Sequence, residues 1–100
     1  MSKAPTFTEK ETPFIAKAEQ YCSNEERCRS AVMDKLLTWG AGVELSQRII
    51  EHLISTDFIN EGRYCRLYCD SKIRQQKWGR IKIAYQLRSK RIDAKTVDNA

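Results

Sequence analysis

The sequence predicts an all-α protein made of tandem three-helix units that resemble helix-turn-helix folds and form an elongated molecule. Apolar residues recur at helical spacing along most of the 100-residue chain, and capping or helix-breaking residues separate the runs. The sequence lacks the alternating pattern that is typical of strands. A faint internal repeat is the third observation. A shift of 51 residues aligns Arg29, Val32, Leu36 and Ala41 with Arg80, Ile83, Leu87 and Ile92.

The first unit is predicted at residues 13–57, after a flexible tail at residues 1–12 that has mixed charge and no periodicity. Thr12 and Pro13 predict the start of the first helix, because a capping hydroxyl precedes a proline at the first helical position. The segment Ser23–Glu26 has the form of a capping box and predicts the start of the second helix there. The expected apolar residues of these two helices are Phe14, Ile15, Ala18, Tyr21, Cys22, Cys28, Val32, Leu36 and Trp39.

The third helix of this unit is predicted between the break at residues 40–42 and the polar residues 55–57. It has a strongly amphipathic pattern. Its apolar positions are Leu45, Ile49, Ile50, Leu53 and Ile54.

The second unit is predicted at residues 58–100 and is expected to be truncated in its third helix. Asn60 can cap its first helix, and Asp93 can cap a short last helix that runs through Val97. The expected buried positions are Tyr64, Cys65, Tyr68, Cys69 and Ile73 in the first helix and Ile83, Ala84 and Leu87 in the second.

The positive charge lies entirely in the second half of the chain. The net charge is +5, yet residues 1–50 hold seven basic and seven acidic residues. Residues 63–95 hold eleven basic residues against Asp70 and Asp93. A solvated helix face usually mixes both signs, so this bias favours binding to a polyanion, an acidic protein surface or a protein–nucleic acid complex.

Aromatic residues lie among these basic residues, and two interpretations of them stay open. Tyr64, Tyr68, Trp78 and Tyr85 could stack on the bases of a single strand. The helical spacing of the first three favours the other interpretation, in which they are core residues.

The sequence favours neither catalysis nor a cofactor. It has no phosphate-binding glycine motif, and His52 is its single histidine. The spacing of Cys22, Cys28, Cys65 and Cys69 fits zinc poorly, so packing of reduced thiols is the favoured interpretation and a structural zinc module the alternative. Without a secretion signal or a long apolar run, the sequence predicts a cytoplasmic protein away from membranes.

Three segments together resemble the RecX family of bacterial recombination regulators. Residues 57–65, with the sequence DFINEGRYC, are similar to the family's (Y/F)-L-D-D-x-R-F-A signature. Residues 77–92 resemble its K-G-x-x-x-I-x-x-x-L-x-x-K-G-I pattern. Nearer the N-terminus, residues 29–40 resemble the family's R-x-x-x-x-K-L-x-x-x-G pattern and have its lysine, leucine and glycine at Lys35, Leu36 and Gly40. Arg91 stands where the family has a glycine, and Asn60 and Glu61 replace two aspartates.

The resemblance covers about residues 13–100 and implies a non-catalytic modulator of RecA. Such a protein would bind the RecA–DNA filament, contact DNA independently of its sequence, act as a monomer, and limit ATPase, strand exchange and co-protease activity. Because family members usually carry three repeats, we expect the chain to be a fragment that lacks the last one. The alternative is a stand-alone helix-turn-helix module whose fifth helix enters the major groove.

The charge pattern, rather than the family, supplies the candidate contact residues for RecA or DNA. They are Arg63, Arg66, Arg74, Lys77, Arg80, Lys82, Arg88, Lys90 and Arg91.

Overall fold

Helices account for all the regular secondary structure of residues 7–98, which are the residues that the computed structural model describes. This confirms the all-α class. A π-helical segment, Lys72–Gln76, directly extends the fourth helix. The α-helices are α1 (Thr12–Asn24), α2 (Arg29–Thr38), α3 (Val43–Ser55), α4 (Glu61–Ser71), α5 (Arg80–Ser89) and α6 (Ala94–Asp98).

The chain divides into two units after Ile59, and each unit contains three of the helices. Unit 1 is Met1–Ile59 with α1 to α3, and unit 2 is Asn60–Ala100 with α4 to α6. The tandem three-helix organisation is therefore confirmed. The repeat is visible in the helix bounds themselves, because α5 begins and ends 51 residues after α2.

The core of unit 1 is built from one face of each helix. Burial of a large aliphatic side chain contributes roughly 1.5–3 kcal/mol, so α3, which buries three, contributes most. Trp39 and Tyr21 pack at the edge of this core and remain half-buried. The buried members are Ala18, Cys22, Val32, Leu36, Ala41, Ile49, Ile50, Leu53 and Ile59.

Helix α2 ends in a Schellman motif that requires a left-handed residue. The Gly40 amide donates to the Leu37 carbonyl at 3.0 Å, and the Ala41 amide donates to the Leu36 carbonyl at 2.9 Å. Gly40 has φ +96°, a conformation that glycine adopts without a Cβ clash. This turn places Ala41 in the core and directs the chain into α3.

Two of the predicted helix caps in unit 1 are wrong, although α1 does begin at Thr12 with Pro13 in its first turn. Thr12 lies inside α1, and its hydroxyl donates to the Glu9 carbonyl at 3.1 Å instead of capping the helix. Ser23 also lies inside α1, so the predicted capping box does not form, and α2 begins five residues later with Cys28 as its N-cap. Helix α1 continues instead through Asn24, and the Arg27 side chain supports its last turn by donating to the Tyr21 carbonyl at 3.1 Å.

The predicted flexible tail at residues 1–12 falls only partly within the described residues, because residues 1–6 lie outside them. From residue 7 onward the segment contacts unit 1. The Phe7 ring meets the His52 ring edge-on with centroids 5.6 Å apart, and the Arg48 guanidinium lies 5.1 Å from the Phe7 centroid. Arg48 also pairs with Glu11 at 3.5 Å, and the amide of Thr8 together with this arginine holds the pKa of the Glu11 carboxyl below its usual range.

Unit 2 begins at the cap that the sequence predicts. The Asn60 side-chain oxygen accepts a hydrogen bond from the Arg63 amide at 2.9 Å, which satisfies one orphan donor of α4. The predicted cap of α6 also forms, since the Lys95 amide donates to the Asp93 carboxylate at 3.1 Å. The buried side chains of this unit are Cys65, Ile83, Leu87, Ile92 and Val97.

Ile73 is predicted as a buried residue, and this prediction is wrong. The side chain is 52% exposed because it lies in the π-helical segment, where the wider turn breaks the 3.6-residue periodicity of α4. The cavity of about 230 Å³ inside unit 2 has Ile73 at its wall, together with Ile83 and Leu87 of α5.

Candidate nucleic-acid and partner interface

All nine candidate contact residues lie in unit 2, between α4 and the turn after α5. Arg63 and Lys90 are half-buried, and the other seven are exposed. The single acidic residue of the α4 stripe, Asp70, pairs with Arg74 at 3.1 Å. Because both partners are largely exposed, this pair contributes about 0.5 kcal/mol at most and leaves the remaining positive charge available.

A cluster of cations and aromatic rings lies within this basic region. We call it the Trp78 cluster and define it as Tyr68, Lys72, Trp78, Lys82 and Lys90. The ammonium groups of Lys72 and Lys82 lie 4.9 Å and 4.3 Å from the centroid of the Trp78 ring. Lys72 also lies 5.3 Å and Lys90 5.8 Å from the Tyr68 ring.

The π-helical segment places Trp78 in the cluster. Lys77 has φ +55°, and the Trp78 amide donates to the Lys72 carbonyl at 3.2 Å. This hydrogen bond spans six residues and turns the chain back, so that the Trp78 ring faces the side chain of Lys72. Tyr68 sits one α4 turn before Lys72, which is the spacing at which helix side chains meet.

Cation–π contacts fix a lysine without neutralising it. The attraction comes from the ring quadrupole, so the ammonium keeps its full charge, whereas a carboxylate partner would cancel it. Neither Lys72 nor Lys82 forms an ion pair within residues 7–98. The Trp78 cluster is therefore a preordered source of positive potential for an anionic partner.

The sequence-based candidates omit Lys72, which contacts both rings of the cluster. Its spacing of four residues from Tyr68 is the signal that could have identified it. Of the four aromatic residues in the basic region, Tyr68 and Trp78 are half-buried and hold lysines, and Tyr64 stacks on Tyr68 with centroids 5.9 Å apart. Tyr85 is 70% exposed and has the accessible ring that base stacking needs.

Unit 1 has a second cluster of cations and aromatic rings, although the first half of the sequence has no net charge. We call it the Trp39 cluster and define it as Lys17, Tyr21, Arg27, Lys35 and Trp39. Arg27 and Lys35 lie 3.9 Å and 5.6 Å from the Tyr21 ring, and Lys17 lies 4.7 Å from the Trp39 ring. The two rings meet edge-on with centroids 6.2 Å apart.

The two clusters are related by the internal repeat, with the partners exchanged. The 51-residue shift carries Lys17 onto Tyr68 and Trp39 onto Lys90, so both units form this contact with cation and ring reversed. The same shift carries the contact of Tyr21 with Arg27 onto the contact of Lys72 with Trp78, again reversed.

The four cysteines are all free thiols, and three of them are buried. Burial raises the pKa of Cys22 to about 11, and it also raises the pKa of Cys69 against the opposing charge of Arg80. Both shifts keep the thiols protonated and unreactive. Within the described residues, no group of three or more histidine, cysteine or carboxylate side chains is arranged to hold a metal ion.

The helices described in residues 7–98 include none with the length and apolar character needed to cross a membrane.

The fold and this surface define a class: a helical protein of tandem three-helix units whose second unit presents a basic surface supported by aromatic rings. Comparison with known proteins agrees with that class. Residues 60–100 match the family described as "RecX, second three-helix domain". The chain is 30% identical over 81 residues to the "Regulatory protein RecX" of Clostridium tetani (strain Massachusetts / E88). The aligned part covers 81% of this chain and 37% of that relative.

The chain is therefore similar to RecX proteins, and its residues 60–100 correspond to the second three-helix domain of that family. It spans little more than a third of the length of the curated relative that it matches. No solved structure matches it.

Proposed function

We propose that this chain is a regulator that binds the RecA–DNA filament and limits its ATPase, strand-exchange and co-protease activities. One observation carries the proposal: the unit that matches the RecX domain is also the unit that holds the Trp78 cluster and the excess of basic residues. A filament of protein on DNA presents phosphates along its length, and a basic surface binds such a polyanion whatever the DNA sequence.

The contacts that we propose are the nine candidate basic residues named from the charge pattern, together with Lys72. Lys72 and Lys82 are held by Trp78, so they lose less side-chain entropy on binding than free lysines do. Binding as a monomer in the cytoplasm, without catalysis or a cofactor, belongs to the same proposal.

The test is inhibition of DNA-stimulated ATP hydrolysis by RecA. A triple variant with Arg66→Glu, Arg80→Glu and Arg88→Glu reverses three exposed charges of unit 2. We expect half-inhibition to need at least tenfold more of this variant, which corresponds to a loss of about 1.4 kcal/mol in binding free energy. The reason is that the introduced glutamates repel the DNA phosphates and slow association. A charge reversal at Lys10 and Arg29, two exposed basic residues of unit 1 outside the Trp39 cluster, is the control and should inhibit almost normally. Equal inhibition by the two variants would remove the basic residues of unit 2 from the mechanism.

The stand-alone DNA-binding module makes a different prediction in the same system. Its recognition helix would be α5, whose exposed residues include the apolar Ile81, 89% exposed, and Tyr85, 70% exposed. Bidentate contacts to base edges need arginine, asparagine or glutamine, and the exposed residues of that kind on α5 are Arg80 and Arg88 near its two ends. Titration of naked duplex DNA at two salt concentrations, with and without RecA, separates the two functions. Tight, sequence-selective binding without RecA would support the module and contradict the RecA proposal.

A further inference from the structure

We propose that the Trp39 cluster of unit 1 is a second contact site for single-stranded nucleic acid, in which one base enters a groove beside α1 and the flanking phosphates meet Lys17 and Lys35. This inference rests on the proposed function only in taking a DNA strand as partner. It assigns a binding role to the unit that has no net charge in its half of the sequence.

The groove lies between α1 and the C-terminal end of α2. It is a shallow groove of about 430 Å³, open to solvent and lined by Ala16, Lys17, Gln20, Tyr21, Asn24 and Trp39. Its two aromatic rings are fixed by their edge-on contact and by Arg27, which also donates to the Tyr21 carbonyl at 3.1 Å. The aromatic wall therefore exists before any ligand arrives.

The charge at the groove suits phosphate. Lys17 and Lys35 form no ion pair within the described residues, and Lys17 is held against the Trp39 ring and Lys35 against the Tyr21 ring. Glu25 is paired with Arg27 at 3.0 Å. Lys17 lines the groove and Lys35 lies against Tyr21 of its wall, so two ammonium groups remain positive beside the aromatic rings.

The lining favours a nucleic-acid strand over an acidic peptide. A base offers a planar face to an aromatic wall, and such stacking is worth about 1–3 kcal/mol per base. Gln20 and Asn24, joined by a hydrogen bond of 3.0 Å, add amide donors and acceptors of the kind that pair with base edges. An acidic peptide would use the lysines but leave the aromatic wall and the amides without a matching partner.

The repeat supports the assignment independently. The Trp39 cluster occupies positions equivalent to those of the Trp78 cluster, with cation and ring exchanged in two separate contacts. Although the cation and the ring have changed places between the two units, both units keep a cation held against an aromatic ring at these positions.

The test measures binding of the full chain to a fluorescent oligothymidylate of about 20 nucleotides, long enough for one or more single-strand sites. We expect the Lys17→Gln/Lys35→Gln variant to bind more weakly and to lower the slope of log affinity against log salt by about 1.4, the value for two lost phosphate contacts on a single strand. The control, Lys10→Gln/Arg29→Gln, removes the same charge from unit 1 outside the cluster and should change the slope far less.

A second measurement tests the base. In a Trp78→Phe background Trp39 is the single tryptophan, and we expect its fluorescence to be quenched by oligothymidylate but not by an abasic strand of equal length. Equal quenching by both strands, or equal binding of poly-glutamate and oligothymidylate, would overturn the choice of nucleic acid.

The outcomes separate this inference from the proposed function. If Lys72→Gln/Lys82→Gln weakens oligonucleotide binding while Lys17→Gln/Lys35→Gln behaves like its control, unit 2 keeps its proposed role and the unit 1 site is refuted. If the unaltered chain does not bind the oligonucleotide even at low salt, the unit 1 site is refuted, while inhibition of RecA through protein contacts can still be observed.

Discussion

The ammonium group of Lys72 lies 4.9 Å from the centroid of the Trp78 ring, although the π-helical segment and Lys77 separate the two residues along the chain. This contact links a backbone irregularity to a surface property. The π-helical segment and the left-handed Lys77 return the chain to Lys72, and the ring then holds the lysine without cancelling its charge. The irregular end of α4 is thus part of the candidate interface rather than a defect of the helix.

The first prediction concerns the energy of this contact. A double-mutant cycle of Lys72→Gln and Trp78→Leu, measured by urea unfolding, should give a coupling of about 0.5–1 kcal/mol. The same cycle with Lys77→Gln in place of Lys72→Gln is the control, because Lys77 is exposed and makes no ring contact within residues 7–98. Indistinguishable couplings in the two cycles would show that the Lys72 contact contributes nothing specific.

The second prediction contrasts two possible helix caps. Asn60→Ala should lower the free energy of unfolding by about 1 kcal/mol, because the Arg63 amide loses its acceptor. Ser23→Ala should leave stability unchanged or raise it slightly, since Ser23 lies inside α1, where alanine has the higher helix propensity. Chemical denaturation of both variants measures the contrast. A loss at Ser23 as large as that at Asn60 would mean that the predicted capping box forms after all.

The third prediction compares equivalent helix ends in the two units. Arg91 has φ +64° at the position that Gly40 occupies after α2, and a left-handed residue with a Cβ costs about 1 kcal/mol. Arg91→Gly should therefore raise stability by about 0.5–1 kcal/mol, and Gly40→Ala should lower it by about 1 kcal/mol. Thermal unfolding of the two variants tests the signs, and a loss of stability in Arg91→Gly would contradict the expected strain.

The fourth prediction concerns a buried hydroxyl in α3. Ser46 is fully buried, and its side-chain oxygen has no hydrogen-bond partner within the described residues, whereas the equivalent position of unit 2 holds Val97. Ser46→Ala removes an unsatisfied polar group and should stabilise the protein by about 1 kcal/mol. The control is Ser55→Ala, whose exposed hydroxyl donates to the His52 carbonyl and should matter by less than about 0.5 kcal/mol. Destabilisation by Ser46→Ala would point to a partner for this hydroxyl.

Local signals in the sequence predicted the fold wherever tertiary contacts did not compete with them. Asn60 and Asp93 cap their helices as expected, and Val32 and Leu36 are buried where the periodicity places them. The capping box at Ser23 does not form because α1 continues through Asn24, where the Arg27 side chain donates to the Tyr21 carbonyl. This hydrogen bond satisfies a carbonyl at the helix end, and a capping motif confined to residues 23–26 does not include it.

The candidate site was harder to predict, because charge counting ignores what holds each charge. The basic excess of unit 2 is visible in composition, but the role of Lys72 depends on a chain reversal that no periodicity encodes. In unit 1, equal numbers of acidic and basic residues in its half of the sequence hide a surface on which Lys17 and Lys35 are unpaired within the described residues.

The exchanged contacts of the two units bear on how such repeats diverge. Lys17 against Tyr68, and Trp39 against Lys90, count as dissimilar pairs when the units are aligned residue by residue. The contact of Lys17 with Trp39 and the contact of Lys90 with Tyr68 are nevertheless the same kind of cation–π interaction, with the positions of the cation and the ring exchanged. Covariation between the two positions of a pair, rather than identity at either position, is the quantity that would reveal the shared ancestry of these units in more distant relatives.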